Sequence, residues 1–417
     1  MTGEFQPVTQ ALSLRKLSPR LSPALLAWAG FLMLLLLVGG VAGLRVFRQG
    51  LVLTSLSDSI PWGLWITVDL SAIALGAGAF TLSAIVYVFR LERFRPILRL
   101  AVLVGLIGYT TAMLTLLVDI GRPDRFWHPW VYWNVHSVLW EITLAITLYT
   151  AVLMVEFAPV VAELPLFDQR PRLRQLGHWL HKAAPALALA GLLISIVHQS
   201  SLGATYGILK ARPLWFKPSM PILFIVSAVA VGPAVTMAAA FVVEWATHRP
   251  TIPHDLLRTI ARISGIGLLV YAYLRFWDLA AVSYYGRTPA AEAAMQLLQQ
   301  YTPYGFGFWV GEVIIGLLIP VVLFLLPRFN RRPGYLVLGA GLAALGLVIN
   351  RWNITVSGLL VPLNYSPGVV QQLEPGVYAP SLIEWTVVLG VVGYALAAFT
   401  LGTRILPIFT WQKPNPQ

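Results

Sequence analysis

A chain of 417 residues with 58% apolar and only 11% charged positions has less than half the ionic surface of an ordinary soluble domain, which carries about 25%; a soluble fold is excluded, because its exterior would be one large aggregating patch. The net charge of +12 sits in short segments without interleaved aromatics, so it reads as loop charge that orients the chain and meets anionic lipid, and nucleic acid is excluded as a partner. The absence of cysteine rules out a cysteine-ligated iron–sulfur cluster, a disulfide and thiol chemistry in this chain.

Residues 1–20 read as a short basic tail. The first apolar run begins only after Arg20 and is long enough to span, which is not the pattern of a cleavable signal peptide. Ten candidate spans follow, near 22–44, 62–90, 97–118, 136–156, 183–209, 218–243, 257–282, 305–326, 335–357 and 382–409. Each reaches the roughly 20 residues that cross ~30 Å of hydrocarbon. Pro185, Pro233 and Pro320 fall inside spans, where membrane helices tolerate them. The alternating segments of about 10 residues that build a β-barrel are absent. The expected fold is therefore an all-α integral membrane protein.

Lys and Arg set the orientation. With the N-terminus inside, 19 of the 29 fall in inner segments, and the positive-inside rule puts both termini in the cytoplasm. The inner loop 157–182 is basic. The outer loops 119–135, 283–304 and 358–381 are long and rich in Trp, Tyr and Pro, as interfacial belts or a docking platform would be.

Ionisable residues within spans cost about 2.5–3.5 kcal/mol each near a helix centre, so their positions carry information. Asp69 lies about 10 Å into the second span from outside. Asp119 ends the third, His136 and Glu141 open the fourth, and His198 lies in the outer third of the fifth. Arg275 and Asp278 close the seventh, Glu312 opens the eighth, Arg351 comes late in the ninth and Glu384 opens the tenth. The inner half offers mainly hydroxyls, such as Ser83, Thr110, Thr111, Ser195 and Thr236, while Glu156 and Glu244 sit at inner ends and can snorkel. Taken singly, many of the outer charges are helix-end residues reaching water. Together they suggest a polar cavity open to the outside. A quinone head group suits such a cavity, needing partners for two carbonyls, a group that exchanges protons near neutral pH and apolar walls.

Other chemistries fit less well. Of seven His, only His136 and His198 look intramembrane, too few for two stacked b-type haems, and no haem is expected. A transporter would place charges near the midplane beside broken helices. The Gly76–Ala77–Gly78 stretch is read instead as a close helix contact.

Several motifs then become familiar. Residues 118–128, VDIGRPDRFWH, resemble the DLGRPxRFW signature of the NrfD/PsrC family, the membrane subunits of polysulfide-reductase-type complexes, and precede Asn134–Val135–His136–Ser137. Ile60–Pro61–Trp62–Gly63, leading to Asp69, is similar to that family's early PWG helix. The stretches 198–203, 350–353 and 378–384 resemble the HybB-like branch, the quinone-reactive partners of periplasmic [NiFe] hydrogenase, and 274–279 also resembles a family segment.

The resemblance implies a tail (1–20), a first helix with its outer loop (21–61), a four-helix bundle with the quinone site (62–209), a second four-helix bundle (210–357), and an outer loop, last helix and tail (358–417). It implies menaquinone or ubiquinone near the outer face and an iron–sulfur ferredoxin-like subunit docked there. Further redox subunits, a hydrogenase, a molybdopterin enzyme or a multihaem cytochrome, would complete the complex in a bacterial or archaeal cytoplasmic membrane. The alternatives are a passive anchor and a b-type haem cytochrome subunit.

Family quinone sites use an Asn/His/Asp/Tyr-type set, matched here by His136, Asp119, Asn134 and Asp69. His136 would bond a quinone carbonyl or, alternatively, the outer loop. Asp119 would pair with His136 or clamp Arg122. Glu141 and His198 are candidates for proton transfer, against readings as buried bundle residues. Arg275, Asp278, Arg351 and Glu384 are expected to form a salt-bridge network sealing the second bundle.

Overall fold

The computed structural model describes residues 22–164, 171–285, 288–361 and 376–409. Among them no strand occurs, and ten helices are long and apolar enough to cross a membrane. They are α1 (Pro23–Gln49), α2 (Leu64–Tyr87), α3 (Glu92–Asp119), α4 (Val138–Ala162), α5 (Lys182–Gly207), α6 (Met220–Thr247), α7 (His254–Tyr284), α8 (Tyr304–Leu325), α9 (Pro333–Leu360) and α10 (Leu382–Ile405). The protein is an all-α, multi-pass membrane protein.

Local signals fix the ends. Ser22 caps α1, accepting from Leu25 N at 3.2 Å with Pro23 in the first turn, and Gly50 at φ 78° ends that helix. Ser381 and Glu384 form a reciprocal capping box at the start of α10. Two departures from regular α-helix stand out. α2 tightens at Gly76–Ala77 between the segments Leu64–Leu75 and Gly78–Tyr87. Gly307–Leu318 in α8 and Asn353–Ser357 in α9 are π-helical, a geometry found mostly at special sites.

The helices close into two rings of four. α2 packs on α3, α3 on α4, α4 on α5 and α5 back on α2; α6, α7, α8 and α9 close in the same way. α1 and α10 pair with each other and lie against α3. α2 also touches α6, α9 and α10. It is the hub: 83% of its apolar stretch is buried, against 11% for α1. Lipid tails are as apolar as leucine, so close backbone approach rather than water exclusion holds such helices together. A Cβ on Gly78 of α2 would strike Gly232 and Thr236 of α6, and one on Gly346 of α9 would strike Gly316 of α8. Gly78 thus makes the helix contact that its sequence context suggests.

Within hydrocarbon every polar group needs an internal partner. The hydroxyls of Thr67, Ser71, Thr81, Thr115 and Thr236 each bond the carbonyl four residues earlier. One end of both rings carries Asp119 and Glu384, the other carries Arg90, Arg258 and Arg331. They are termed the Asp119 end and the arginine end.

Candidate functional site

Two polar clusters lie toward the Asp119 end, and they differ in one respect. In the ring α6–α9 both buried carboxylates meet a cation, although Arg351 Nε and Ser357 Oγ are left without partners. Asp278 accepts from Lys217 Nζ at 2.7 Å, Arg275 Nη1 at 3.0 Å and Ser219 Oγ at 2.6 Å. Glu312 accepts from Arg275 Nε at 3.3 Å, Asn350 Nδ2 at 2.8 Å and Asn353 Nδ2 at 2.8 Å. The π-helical stretch of α8 carries Glu312 and that of α9 carries Asn353. Burial pushes the Lys217 ammonium below its ordinary pKa, against the pull of Asp278. Arg351 has no carboxylate among the described residues. Its Nη groups bond Asn350 Oδ1 (2.9 Å) and Ser227 Oγ (2.8 Å), and its guanidinium lies 3.9 Å over the Phe224 ring.

This corrects the expected network. Arg275 and Asp278 pair, Lys217 and Glu312 complete the cluster, and Glu384 is not in it. Glu384 instead accepts from Ser55 N (2.9 Å), Ser381 N (2.8 Å) and the Tyr378 hydroxyl, and its carbonyl accepts from Trp65 Nε1 at 3.1 Å. The Tyr378 oxygen also accepts from Leu64 N at 3.0 Å. Burial and the adjacent carboxylate both push the Tyr378 phenol above its ordinary pKa.

In the ring α2–α5 the two deepest carboxyls, those of Asp69 and Asp119, meet no cation among the described residues. Buried atoms without a partner include Asp69 Oδ1, Asp119 Oδ1, Thr111 Oγ1, Trp140 Nε1, Gln199 Nε2 and both ring nitrogens of His198. Neither Asp69 nor Asp119 has an ion pair among the described residues. The two lie within electrostatic reach of each other, and Asp119 within reach of Glu384. Asp69 is six residues into α2, about 9 Å from its end, and His198 nine residues from the end of α5, about 14 Å. Below them the Tyr109 ring lies 6.1 Å from His198 and 4.4 Å from Tyr149, with its hydroxyl 3.4 Å from Ser195 Oγ. Each unpartnered polar atom costs about 1–3 kcal/mol if left so, and buried polar groups of this kind call for a polar ligand or water.

Other expected residues stand at the rim. Asn134 and His136 are exposed and form the turn before α4, with Asn134 Oδ1 accepting from His136 N at 3.2 Å. The cap of α4 is Ser137, so His136 lies outside the helix that it was expected to open. Glu141, half-buried in the first turn of α4, faces the Ser201 hydroxyl. The expected clamp between Arg122 and Asp119 does not form. Arg122 binds Asp124 through Nε (3.1 Å) and Nη2 (3.0 Å), and holds that carboxyl below its ordinary value.

Trp62, from the Pro61–Trp62–Gly63 stretch, closes the seam between the rings. It stacks on Trp215 at 5.9 Å and meets the edge of Tyr206 at 5.7 Å. Two small voids, of about 20 and 10 Å³, lie in the ring α6–α9, each the size of one water. At the Asp119 end of the ring α2–α5, residues 122–136 are largely exposed.

The model of the family described as "Polysulphide reductase, NrfD" matches residues 52–363. The chain belongs to the NrfD family. Three relatives place it more closely within the family. It is 32% identical to the "Menaquinone reductase, integral membrane subunit" of Nitratidesulfovibrio vulgaris, over 92% of this chain and 91% of the relative. It is 29% identical to the "Probable Ni/Fe-hydrogenase 2 b-type cytochrome subunit" of Escherichia coli, over 89% and 88%. It is 24% identical to the "Hdr-like menaquinol oxidoreductase integral membrane subunit" of Archaeoglobus fulgidus, over 85% and 87%. The GRP stretch and the Trp62 segment both fall inside the matched NrfD region.

Proposed function

We propose that this chain is the quinone-reactive membrane subunit of a multi-subunit oxidoreductase. The head group of menaquinone or ubiquinone enters at the mouth of the α2–α5 chamber. The observation that carries this reading is the set of buried, unpartnered polar atoms on Asp69, Asp119, Thr111, Trp140, His198 and Gln199. The set holds carboxyls, which pass protons, and N–H groups, which donate to carbonyl oxygens. The names of the menaquinone reductase and menaquinol oxidoreductase relatives support the same assignment.

A quinone supplies an acceptor for two electrons and two protons. Asp69 and Asp119 hold protons at the chamber wall, and His198 presents its imidazole from α5. His136 and Asn134 line the rim, where they meet the head group on entry, and Glu141 passes protons between rim and chamber. An iron–sulfur ferredoxin-like subunit docks at the Asp119 end, which faces outward from a bacterial or archaeal cytoplasmic membrane. A hydrogenase, molybdopterin enzyme or multihaem cytochrome completes the electron route.

The test uses the assembled complex. Asp69→Asn and His136→Ala are expected to abolish quinone-linked turnover and to leave electron transfer from the partner subunits to a soluble dye intact. A passive anchor would keep both activities. A Soret band assigned to this subunit would instead favour the cytochrome reading that the name of the Escherichia coli relative carries.

A further inference from the structure

At the arginine end of the second ring, Arg262, Arg328, Arg331 and Arg332 are all exposed, and none has a carboxylate within ion-pair distance among the described residues. The two acidic side chains nearby are already engaged, Asp255 by Arg258 at 2.9 Å and Glu244 by His254 at 2.9 Å. In the first ring two of the arginines at this end are paired, Arg95 with Glu92 and Arg99 with Glu163, which leaves Arg90 and Arg93 without a carboxylate among the described residues. Topology signals alone account for arginines on this side of a membrane. They do not account for how these are held.

The turn between α8 and α9 is fastened to α7 by two hydrogen bonds. Arg258 Nη2 donates to the carbonyl of Arg331 at 3.2 Å, and Asn330 Nδ2 donates to the carbonyl of Arg258 at 3.4 Å. Asn330 is fully buried and also donates to Phe324 O at 2.8 Å. The backbone of the turn is thereby held against the start of α7, the helix that carries Arg262 one turn on. Arg328 and Arg332 lie over Phe329 and Tyr335, each at 5.9 Å, and those rings meet edge to face at 5.2 Å. One turn and two turns beyond Arg262, Ile266 and Leu269 are exposed; Val322 and Leu326 of α8 are exposed beside them. A fixed group of unpaired guanidinium groups, an aromatic step and an exposed apolar strip follow one another from helix end toward hydrocarbon.

We propose that this is a binding site for an anionic phospholipid. Arg262, Arg328, Arg331 and Arg332 engage the phosphodiester oxygens, Phe329 and Tyr335 sit at the glycerol level, and the acyl tails run along α7 and α8. Guanidinium recognises phosphate through paired N–H donors, and basic sites between helix ends suit lipids with more than one phosphate.

The experiment takes the whole complex in mild detergent, strips it of lipid, and adds either cardiolipin or phosphatidylcholine before native mass spectrometry. Cardiolipin is expected to stay bound at collision energies that remove phosphatidylcholine. The triple variant Arg262→Gln/Arg331→Gln/Arg332→Gln is expected to retain at least tenfold less of it. Arg90→Gln/Arg93→Gln, exposed arginines at the same end of the first ring, is expected to retain as much as the parent. Inorganic phosphate at millimolar concentration is expected to displace none. Equal retention of the two lipids, full retention by the triple variant, or displacement by phosphate overturns the proposal. So does occupation of the patch by a partner subunit in the complex. All the substituted side chains are exposed, and an unchanged gel-filtration profile verifies that the variants assemble.

Discussion

The Tyr378 hydroxyl accepts from Leu64 N at 3.0 Å, so a residue of the segment leading into α10 holds the first turn of α2. The same hydroxyl donates to Glu384, whose carboxylate also gathers the N–H groups of Ser55 and Ser381. Three separate stretches of the sequence thus converge five residues ahead of Asp69. Tyr378→Phe leaves Leu64 N and one Glu384 oxygen without partners. A loss of about 1–3 kcal/mol is expected, read as a lower thermal midpoint of the detergent-solubilised complex.

The same phenol gives a pH prediction. Its pKa is raised in the folded state, so its stabilising contribution is complete below the unfolded value of about 10 and declines as pH rises above it. The midpoint of the parent is expected to fall more steeply above pH 10 than that of Tyr378→Phe. Parallel curves for the two would refute this.

Lys217 and Asp278 are both buried and 2.7 Å apart. Lys217→Ala leaves Asp278 with Arg275 and Ser219 only. Breaking a buried pair on one side typically costs about 3–5 kcal/mol, and reduced accumulation of the protein in membranes is expected. Lys217→Met combined with Asp278→Leu is expected to recover part of that loss, because neither charge is then stranded. A double variant no better than the single would point to a role beyond charge balance.

Asp69→Asn keeps the size of the side chain and removes its acid function. If Asp69 handles protons for the quinone, turnover is expected to fall by about 10²-fold or more, with normal assembly. Glu312→Gln, in the matched cluster, is expected to lower stability rather than to change the turnover of the molecules that assemble.

Gly346→Val puts two methyl groups against the backbone of Gly316. No rotamer relieves a clash with backbone, so the cost is expected at or above the roughly 1–3 kcal/mol of ordinary overpacking. A Cβ at Gly341 on the same helix meets nothing within 4 Å, so Gly341→Val serves as the control, measured as folded protein per cell.

The ten spans are legible in the sequence because length and apolarity alone define them; the second reads as 62–90 and runs Leu64–Tyr87. The depth of Asp69 and His198 follows from rise per residue. The partners do not. Lys217 looks like an ordinary loop cation until the loop folds over Asp278, and Asn350 and Asn353 carry no charge to draw notice. Glu384 opens a helix at the end expected of the second ring's network, but its bonds reach Ser55 and Trp65, more than 300 residues earlier. Hydropathy does not encode such long-range pairings. His136 reads as a helix opener because the apolar run starts beside it; the Ser137 cap shifts the true start past it.

The central placement of α2 bears on biogenesis. This helix leaves the ribosome long before α6, α9 and α10, three of the neighbours that wall it in. Until they arrive, the face of α2 that carries Gly78 has no α6 to pack on, and a polypeptide ending after α5 keeps that small-residue seam uncovered. Truncated products of this gene should therefore leave the hub helix half-packed and be cleared from the membrane.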